Sequence, residues 1–353
     1  MFCGDVNEID WSQVDPQKIT SDSRKVRSGS LFFCLKKLDP WGKIFIEDAI
    51  KRGASAIIIP QQEVNQVVVP DVIKLYTASS VLHAFTEALK KTLQIKQHPT
   101  FAVTGTNGKT TVTYLIRHLA PIQTAIIGTI CDDLITEIFP AKNTTPGVED
   151  LYRMIAKIPA NAAITIEASS HALDQQRLFG LPIDVALFTN LASDHMDYHV
   201  DRERYFAAKQ RLFSAEYAPK IKIINANDPY GLRIKSMYGG VTYGIDVEAD
   251  YSAIFTKESL NGTVFLLSYK GEKYYCSVPL IGKFNVENTL AAIAAVHQQF
   301  GVSLKTLCAK LKNFPAVPGR LERIENDFGF EVFVDFAHTE DGDRKSTRLN
   351  SSH

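Results

Sequence analysis

The chain has 353 residues, of which 45% are hydrophobic and 22% are charged. This composition is typical of a protein with sizeable buried cores and about two or three domains. Lys plus Arg and Asp plus Glu balance at 39 each, which excludes a bulk charge that would recruit nucleic acid or an anionic membrane. No apolar run reaches membrane-spanning length, and the acidic N-terminus lacks signal-peptide features, so the sequence predicts a cytoplasmic protein.

The five cysteines, Cys3, Cys34, Cys131, Cys276 and Cys308, are scattered and show no CxxC spacing. This pattern argues against a disulfide framework and against a zinc site. We therefore expect them to fill space in the hydrophobic cores.

Residues 1–97 are predicted to form a small α/β domain. Two apolar runs predict buried strands and two other segments have helical spacing. In chain order these are strand 31–35, helix 45–52, strand 56–59 and helix 80–91. His98-Pro99 follows as a linker, because proline pushes the residue before it out of the helical conformation.

A glycine-rich turn lies between the strand-like residues 100–103 and the helical residues 112–119. The turn is Gly105-Thr106-Asn107-Gly108-Lys109-Thr110-Thr111. Backbone N–H groups at such a turn cradle phosphate, with the lysine reaching the outer phosphates and the first threonine holding Mg2+. The full Walker pattern would place glycine at position 103, where this chain has Val103. A plain strand-turn-helix connection is the alternative, but it does not account for Lys-Thr-Thr at the helix start.

More strand-like segments follow the glycine turn, and they are nearly continuous runs of apolar residues. They occupy 124–127, 162–166, 185–189 and 221–224. Such runs are typical of a sheet covered on both faces, so we expect a doubly wound, mostly parallel sheet within a central domain, 98–317. Ligands of these sheets lie beyond the carboxyl ends of the strands, where the glycine turn, Glu167 and Asn190 fall.

Residues 241–279 alternate between apolar and polar side chains, with turns at Asn261-Gly262 and Lys270-Gly271. This pattern predicts an antiparallel β insert. An alanine-rich helix is predicted at 285–301, and a strand at 332–334.

Pro315 and Pro318-Gly319 mark a second boundary. We expect residues 318–342 to begin a further α/β domain that is truncated. Residues 343–353 are polar and lack apolar periodicity, so we expect a non-native tail.

A carboxylate, two hydroxyls and an imidazole follow the strand that ends at Ile166: Glu167, Ser169, Ser170 and His171. A carboxylate near a phosphate-loop threonine suits Mg2+ that bridges nucleotide phosphates, because Mg2+ prefers hard oxygen ligands. A helix-capping acid is the alternative interpretation of Glu167.

Two aspartates and two histidines lie close together after the strand at 185–189: Asp194, His195, Asp197 and His199. They indicate a metal or phosphate-transfer centre, and helix capping by these polar residues is the alternative. Lys209 follows in a segment of helical spacing among apolar neighbours. A solvated lysine is the default interpretation of that position.

Together these motifs resemble the Mur ligases, and among them the MurE type, the UDP-N-acetylmuramoyl-tripeptide synthetases. The resemblance extends over about residues 18–342 and depends on a series of short motifs in a specific order. These are Ser21-Asp22-Ser23-Arg24, the glycine turn, Asn143-Thr144-Thr145-Pro146, 167–171 with Gln175 and Arg177, 194–199, 282–288, 319–322 and 335–339. The missing glycine at 103 fits this family, which uses the shorter phosphate loop.

The resemblance implies a role for each matching residue. ATP would be bound by Gly105, Thr106, Asn107, Gly108, Lys109, Thr110, Thr111, Asn285, Asn288, Arg320 and Asp335. The UDP-muramoyl dipeptide would be bound by Ser21, Ser23, Asn143, Thr144, Thr145, Ser169, Gln175 and Arg177. Mg2+ would be held by Thr110, Glu167, His195 and Lys209, the last as a carbamate formed with CO2. The catalytic residues would be Lys109, Lys209, Glu167 and His195.

The implied reaction adds an amino acid, meso-diaminopimelate, to the D-glutamate side chain of UDP-MurNAc-L-Ala-D-Glu. ATP would convert the carboxylate to an acyl phosphate, and the amine would then displace phosphate. Three alternatives stay open: an L-lysine-adding ligase, a sister ligase of the MurF type, and a non-catalytic nucleotide-binding fragment.

Two departures from the family pattern stand out. Where many relatives carry His-Gln-x-Asp-Gly near the uridine, this chain has Lys37-Leu38-Asp39-Pro40-Trp41-Gly42, with Trp41 as a candidate for stacking on the base. The family's amino-acid-selecting domain is missing after Asp341. The sequence therefore predicts neither the added amino acid with certainty nor the oligomeric state.

Overall fold

The computed structural model describes residues 3–192, 199–327 and 330–336, apart from the side chains of residues 39 and 40. The strands are β1 (Cys3–Asp5), β2 (Ile19–Thr20), β3 (Ser30–Phe33), β4 (Ala54–Pro60), β5 (Lys74–Ala78), β6 (Thr100–Thr104), β7 (Thr124–Ile127), β8 (Cys131–Asp133), β9 (Ile138–Pro140), β10 (Ala163–Glu167), β11 (Val185–Phe188), β12 (Ile221–Asn225), β13 (Val241–Ile245), β14 (Tyr251–Ser259), β15 (Gly262–Tyr269), β16 (Glu272–Val278), β17 (Glu322–Ile324) and β18 (Val332–Val334). The α-helices are α1 (Lys43–Lys51), α2 (Val81–Thr92), α3 (Lys109–Leu119), α4 (Val148–Ile155), α5 (Ser170–Asp174), α6 (Arg202–Gln210), α7 (Pro229–Tyr238), α8 (Lys283–Phe300) and α9 (Leu304–Leu311).

The chain divides into two compact units. The first, the amino-terminal unit, lies within residues 1–96, 147–157 and 178–180. The second, the central unit, lies within residues 97–146, 158–177 and 181–353. Two short segments of the amino-terminal unit therefore come from a part of the chain that the sequence analysis places in the central domain.

The amino-terminal unit contains a parallel sheet in the order β1-β5-β4-β3-β2. The two predicted strands correspond to β3 and β4, and the two predicted helices to α1 and α2. The predictions missed β1, β2 and β5. The first two are only three and two residues long, too short for an apolar pattern to emerge.

Helix α4 belongs to the amino-terminal unit because its buried face contacts that unit. The Tyr152 hydroxyl donates a hydrogen bond to the Phe179 carbonyl over 3.0 Å, which ties the segment 178–180 to the same unit. The buried Glu149 carboxylate accepts hydrogen bonds from the Thr20 hydroxyl at 2.8 Å and from Arg153 Nε at 3.1 Å. The contact between Thr20 and Glu149 joins residues 129 positions apart, so a local sequence pattern does not reveal it.

The central unit contains one sheet with the strand order β16-β15-β14-β13-β12-β11-β6-β10-β7-β8-β9. All pairs from β14 to β7 are parallel, and the pairs at both edges are antiparallel. This confirms the predicted mostly parallel sheet and its antiparallel insert. The insert extends the same sheet, and the antiparallel edge formed by β8 and β9 was not predicted.

Helices cover both faces of the parallel strands, as expected for a doubly wound sheet. Leu187 belongs to a buried cluster with α3 and α8 residues such as Leu115 and Leu290. The next residue, Phe188, points to the opposite face and contacts Phe213, with ring centroids 6.5 Å apart. Among the described residues no helix is both long enough and apolar enough to cross a membrane.

Cys276 on β16 and Cys308 on α9 lie in the hydrophobic core, as expected, and they are joined as a disulfide, with Cα atoms 5.0 Å apart. The argument against a disulfide was wrong for this pair, because the packing of α9 against β16 brings together sulfur atoms from residues 32 positions apart. The core-filling expectation was wrong for Cys3, which is exposed. Cys3, Cys34 and Cys131 are free thiols.

Asp132 on β8 is a buried acid beside the carboxyl end of β7. One of its carboxylate oxygens, Oδ1, has no hydrogen-bond partner among the described residues. Burial raises the pKa of Asp132 from 3.8 to about 6, although a hydrogen bond from the Gly128 backbone opposes the shift. A carboxyl group with a raised pKa in the folded state stabilises the fold below its unfolded pKa and loses that effect as the pH rises through its folded pKa.

We predict that Asp132→Asn makes unfolding less dependent on pH. Between pH 4 and pH 8 the wild type should lose about 2 kcal/mol of unfolding free energy relative to the variant, because only the wild type must hold a buried carboxylate. Urea unfolding of both proteins at several pH values measures this difference. If the unfolding free energies of the two proteins change with pH in parallel, Asp132 is not a buried titrating group.

Candidate active site at the carboxyl ends of the central strands

The glycine turn connects β6 to the N-terminus of α3, as the sequence predicts. Gly105 and Gly108 have φ angles of 143° and 88°, in a region that side chains strongly disfavour. A Cβ atom on Gly105 would collide with the Thr189 hydroxyl, and one on Gly108 would collide with the Asn288 side chain. Both glycines are therefore required by conformation and by close packing.

Hydrogen bonds fix the glycine turn to the loop that follows β11. Thr106 N donates to the Asn190 carbonyl at 2.8 Å, and Asn107 N donates to Asn190 Oδ1 at 3.0 Å. The Thr189 hydroxyl donates to the Asn107 carbonyl at 2.6 Å. Asn190 thus holds the turn through both its backbone and its side chain.

Two lysines converge on one carbonyl oxygen of the turn. Lys109 Nζ lies 3.0 Å from Gly105 O and 2.7 Å from Thr106 O, and Lys209 Nζ lies 2.8 Å from Gly105 O. Lys209 is only 1% exposed, and its amine lies over the Tyr205 ring at 4.3 Å from the centroid. The interpretation of Lys209 as a solvated helical lysine is therefore wrong.

Glu167 is the buried last residue of β10, next to β6 in the sheet. Its carboxylate accepts two hydrogen bonds from Thr129, one from the backbone N to Oε1 at 2.9 Å and one from the hydroxyl to Oε2 at 3.0 Å. The cap of α5 is Ser169, whose hydroxyl accepts from Ala172 N at 3.2 Å. Helix capping by Glu167 is therefore excluded.

Several residues expected to bind substrate form one hydrogen-bonded group with Glu167. The Thr145 hydroxyl donates to the Glu167 carbonyl at 2.6 Å and accepts from Ser169 N at 3.1 Å. Arg177 Nη1 donates to the Thr145 carbonyl at 2.8 Å, and Nη2 donates to Gln175 Oε1 at 2.9 Å. Asn143 and Thr144 precede Thr145 in the chain, and the Thr144 hydroxyl is 3.2 Å from that of Thr129.

Aromatic rings link the Ser-Ser-His segment to helix α6. His199 lies between His171 and Tyr205, with ring centroids 5.5 Å and 5.1 Å away. The Tyr205 hydroxyl is 3.2 Å from the hydroxyl of Thr106 in the glycine turn. A pocket of about 460 Å³ lies beside His199, with Arg204, Arg211 and Asp174 among its lining residues.

Two of the remaining candidate ATP-binding residues, Asn288 and Arg320, contact the glycine turn. Asn288 packs against Gly108 and donates to Asn285 Oδ1 at 3.0 Å. Arg320 Nη2 is 3.3 Å from the Thr110 hydroxyl, and its guanidinium lies over the Phe336 ring. Asp335 directly follows β18 in the chain. Thr111 is buried in the first turn of α3.

Ser21 and Ser23 belong to the amino-terminal unit. Ser21 N donates to Glu149 Oε2 at 3.3 Å, so the buried Glu149 holds this loop. Ser23 is buried, and its hydrogen bond to Asp48 is the main cause that lowers the pKa of that carboxyl below 3.8. Trp41, in the same unit, is 60% exposed.

The donor chemistry of the central unit suits Mg2+. Within residues 3–192, 199–327 and 330–336, no three His, Cys, Asp or Glu side chains are grouped so that they could hold a metal ion. The Thr110 hydroxyl and the Glu167 carboxylate are hard oxygen donors at the same edge of the sheet, and Mg2+ commonly combines such donors with phosphate oxygens. The predicted ligand His195 and its neighbours Asp194 and Asp197 lie outside the described residues.

Sequence reasoning missed Gly128 and Thr129 as site residues. They directly follow the predicted strand 124–127, so the rule that ligands lie beyond the carboxyl ends of parallel strands would have drawn attention to them. Their role depends on contact with Glu167, 38 positions away. The pairing of β7 with β10 creates that contact.

Comparison with known proteins identifies a family and several relatives. Residues 103–296 match the model of the Mur ligase middle domain. The chain is 38% identical over 347 residues to the UDP-N-acetylmuramoyl-L-alanyl-D-glutamate--2,6-diaminopimelate ligase of Gloeobacter violaceus, with 94% of this chain and 69% of the relative covered. It is 37% identical to the ligase of the same name from Halalkalibacterium halodurans, with 93% and 68% covered.

Solved structures show the same architecture. A structure of a UDP-N-acetylmuramoyl-L-alanyl-D-glutamate--2,6-diaminopimelate ligase superposes with a TM-score of 0.79 at 31% identity, over 96% of this chain and 70% of that chain. The MurF ligase of Thermotoga maritima, solved in complex with ADP, has a TM-score of 0.64 at 18% identity, with 96% and 75% covered. At that identity the second similarity shows the fold alone.

We predict that Gly108→Ala weakens ADP binding at least about tenfold, because the new methyl group collides with Asn288 and forces a strained φ angle on the turn. Gly271→Ala is the matched control. It introduces alanine at a φ of 84° where no other atom lies within 4 Å of the new Cβ. Isothermal titration with ADP compares both variants with the wild type, and equal affinity in Gly108→Ala would contradict the tight approach of Asn288.

Proposed function

The chain belongs to the Mur ligase family, and we propose that it adds meso-diaminopimelate to the D-glutamate side-chain carboxylate of UDP-MurNAc-L-Ala-D-Glu with consumption of ATP. One observation carries this proposal: the amines of Lys109 and of the buried Lys209 both contact the Gly105 carbonyl oxygen of the glycine turn. Relatives at 37–38% identity are named for this reaction.

A carboxylate is a poor electrophile, so amide formation needs a leaving group. In the proposed mechanism the carboxylate oxygen attacks the terminal phosphorus of ATP, ADP leaves, and an acyl phosphate forms. The amine of the amino acid then attacks the acyl carbon, phosphate leaves, and the ammonium proton passes to solvent. In the first step a P–O bond to the carboxylate forms while the P–O bond to ADP breaks. In the second step a C–N bond forms while the C–O bond to phosphate breaks.

The glycine turn would hold the phosphates during this sequence. Backbone N–H groups at the start of α3 would donate to the phosphate oxygens, and Lys109 would exchange its carbonyl contacts for phosphate oxygens. Thr110, Glu167 and His195 would hold Mg2+, which supplies positive charge against the phosphate oxygens. Asn285 and Asn288 would lie beside the adenine, and Asp335 would meet the ribose. Arg320, whose Nη2 is 3.3 Å from the Thr110 hydroxyl, would also bind ATP.

We further propose that Lys209 carries a carbamate in the active enzyme. Carbamate formation joins the neutral amine nitrogen to the carbon of CO2 and releases a proton. Burial in general disfavours the charged form of a lysine, and Lys209 is only 1% exposed. The resulting carboxylate would provide oxygen ligands for a second Mg2+.

Eight residues are proposed to bind the dipeptide substrate. In the central unit the proposed contacts are Asn143, Thr144, Thr145, Ser169, Gln175 and Arg177, and in the amino-terminal unit they are Ser21 and Ser23. The hydrogen bonds of Thr145 and Arg177 support this grouping, because they fix the orientation of both side chains before substrate binds.

The domain spans and the cytoplasmic location stay predictions.

Ligase activity is the direct test of the proposed function. We expect phosphate release from ATP to require both UDP-MurNAc-L-Ala-D-Glu and meso-diaminopimelate, with little turnover on L-lysine. The assay is made with the 353-residue chain, which covers 69% of the Gloeobacter relative. Turnover on the tripeptide substrate with D-Ala-D-Ala, and none with single amino acids, would instead identify a MurF-type ligase.

Lys209→Ala should lower kcat by at least about a hundredfold, because the variant lacks the amine that becomes the carbamate. Added acetate should restore part of this activity by providing a carboxylate in the same cavity. Lys220→Ala is the control, since the Lys220 side chain is exposed and its ammonium contacts Asp184, directly before the amino end of β11. Wild-type rates in Lys209→Ala, or no response to acetate, would contradict the carbamate.

A further inference from the structure

We propose that Thr129 is a positioning residue that orients the Glu167 carboxylate toward Mg2+, an inference that rests on the proposed function. Thr129 lies at the carboxyl end of β7, one strand away from the glycine turn across β10. It does not match any of the residues that the sequence motifs assign to ATP, metal or substrate. Its side chain and backbone act together on a single acid.

Thr129 holds both oxygens of Glu167. Its backbone N lies 2.9 Å from Oε1, and its hydroxyl lies 3.0 Å from Oε2. Two donors from one residue fix the plane of the carboxylate as well as its direction. Each carboxylate oxygen has about two acceptor positions, so one donor at each oxygen leaves acceptor capacity for a metal ion.

Gly128 makes this approach possible. A Cβ atom on Gly128 would collide with Glu167 Oε1, so a larger residue would push the carboxylate away from the Thr129 backbone N. Glu167 is 1% exposed, and the surrounding protein leaves little space for another orientation. The Gly128-Thr129 pair therefore combines a steric limit with two hydrogen bonds.

Thr129 also connects the metal-binding acid to the substrate-binding segment. Its hydroxyl oxygen is 3.2 Å from that of Thr144, and the next residue, Thr145, donates to the Glu167 backbone carbonyl. The side chain of Glu167 is thus tied to Thr144 through Thr129, and its backbone is tied to Thr145 directly. A shift of Thr129 would therefore affect both metal binding by Glu167 and substrate binding by Thr144 and Thr145.

The test measures Mn2+ binding to the 353-residue chain in the presence of saturating ADP, by electron paramagnetic resonance of free Mn2+. We expect Thr129→Val to weaken Mn2+ binding about tenfold to a hundredfold, the range found when a residue that hydrogen-bonds a metal ligand is replaced. Thr129→Ser keeps the hydroxyl and should stay within about threefold of the wild type. ADP affinity without metal and urea stability of Thr129→Val should match the wild type, because the described hydrogen bonds of Thr129 go to Glu167 and Thr144 and its side chain is only partly buried.

Thr165→Val is the matched control. It removes a hydroxyl from β10 that donates to the Ala125 carbonyl on β7 at 3.1 Å, two residues before Glu167. This variant makes the same chemical change between the same two strands, and its Mn2+ affinity should equal that of the wild type. If Thr129→Val does not fold, Thr129→Ala provides the same comparison with a smaller side chain.

The outcomes separate the two proposals. Unchanged Mn2+ affinity in Thr129→Val, or equal losses in Thr129→Val and Thr165→Val, would overturn the positioning role and leave the proposed function intact. A wild-type chain that binds no Mn2+ with ADP would overturn the proposed function, and the positioning role with it. Selective loss of Mn2+ affinity in Thr129→Val, restored in Thr129→Ser, supports the positioning role.

Discussion

The parallel register of three adjacent strands is the constraint on which the candidate site depends. Val103 of β6 lies level with Glu167 of β10 on one side and with Leu187 of β11 on the other. Because the three strands run in the same direction, the residues that follow them emerge at one edge of the sheet. This register places the glycine turn, Glu167 and the Thr189-Asn190 segment next to one another. A change of register by one residue would turn Glu167 to the other face.

Two buried titratable side chains at this edge have local hydrogen-bond partners. Lys209 is almost fully buried and meets a backbone carbonyl and an aromatic ring, while Glu167 meets two donors from Thr129. Burying an ionised group is costly unless hydrogen bonds replace its water. Backbone and hydroxyl groups therefore replace water around Lys209 and Glu167 and fix their orientation. Such an arrangement would suit a site that binds phosphate groups.

The amino-terminal unit shows how separate parts of the chain can form one structure. Helix α4 lies more than fifty residues beyond the end of that unit's sheet, yet its Glu149 and Tyr152 contribute to the unit. Glu149 holds the loop that carries Ser21. A proposed substrate-binding loop of one segment is thus stabilised by an acid from a distant segment.

The sequence by itself determined the elements whose signals are local. The apolar runs predicted β6, β7, β10 and β11 to within one residue at either end, and the glycines of the turn predicted its position, because a strand buried on both faces and a left-handed turn each require particular residues. It also located Lys109, Glu167 and Lys209 through motif resemblance. Short or half-exposed elements such as β2 and β8 gave no such signal.

Tertiary structure alone decided which residues meet. The contacts of Thr129 with Glu167, of Lys209 with Gly105 and of Cys276 with Cys308 join positions that are 32 to 104 residues apart. No local pattern encodes these pairs, since they arise from strand order and from the packing of helices against the sheet. Whether a lysine in a helix is solvated or buried depends on that packing and not on its neighbours in sequence, which is why the burial of Lys209 required the fold.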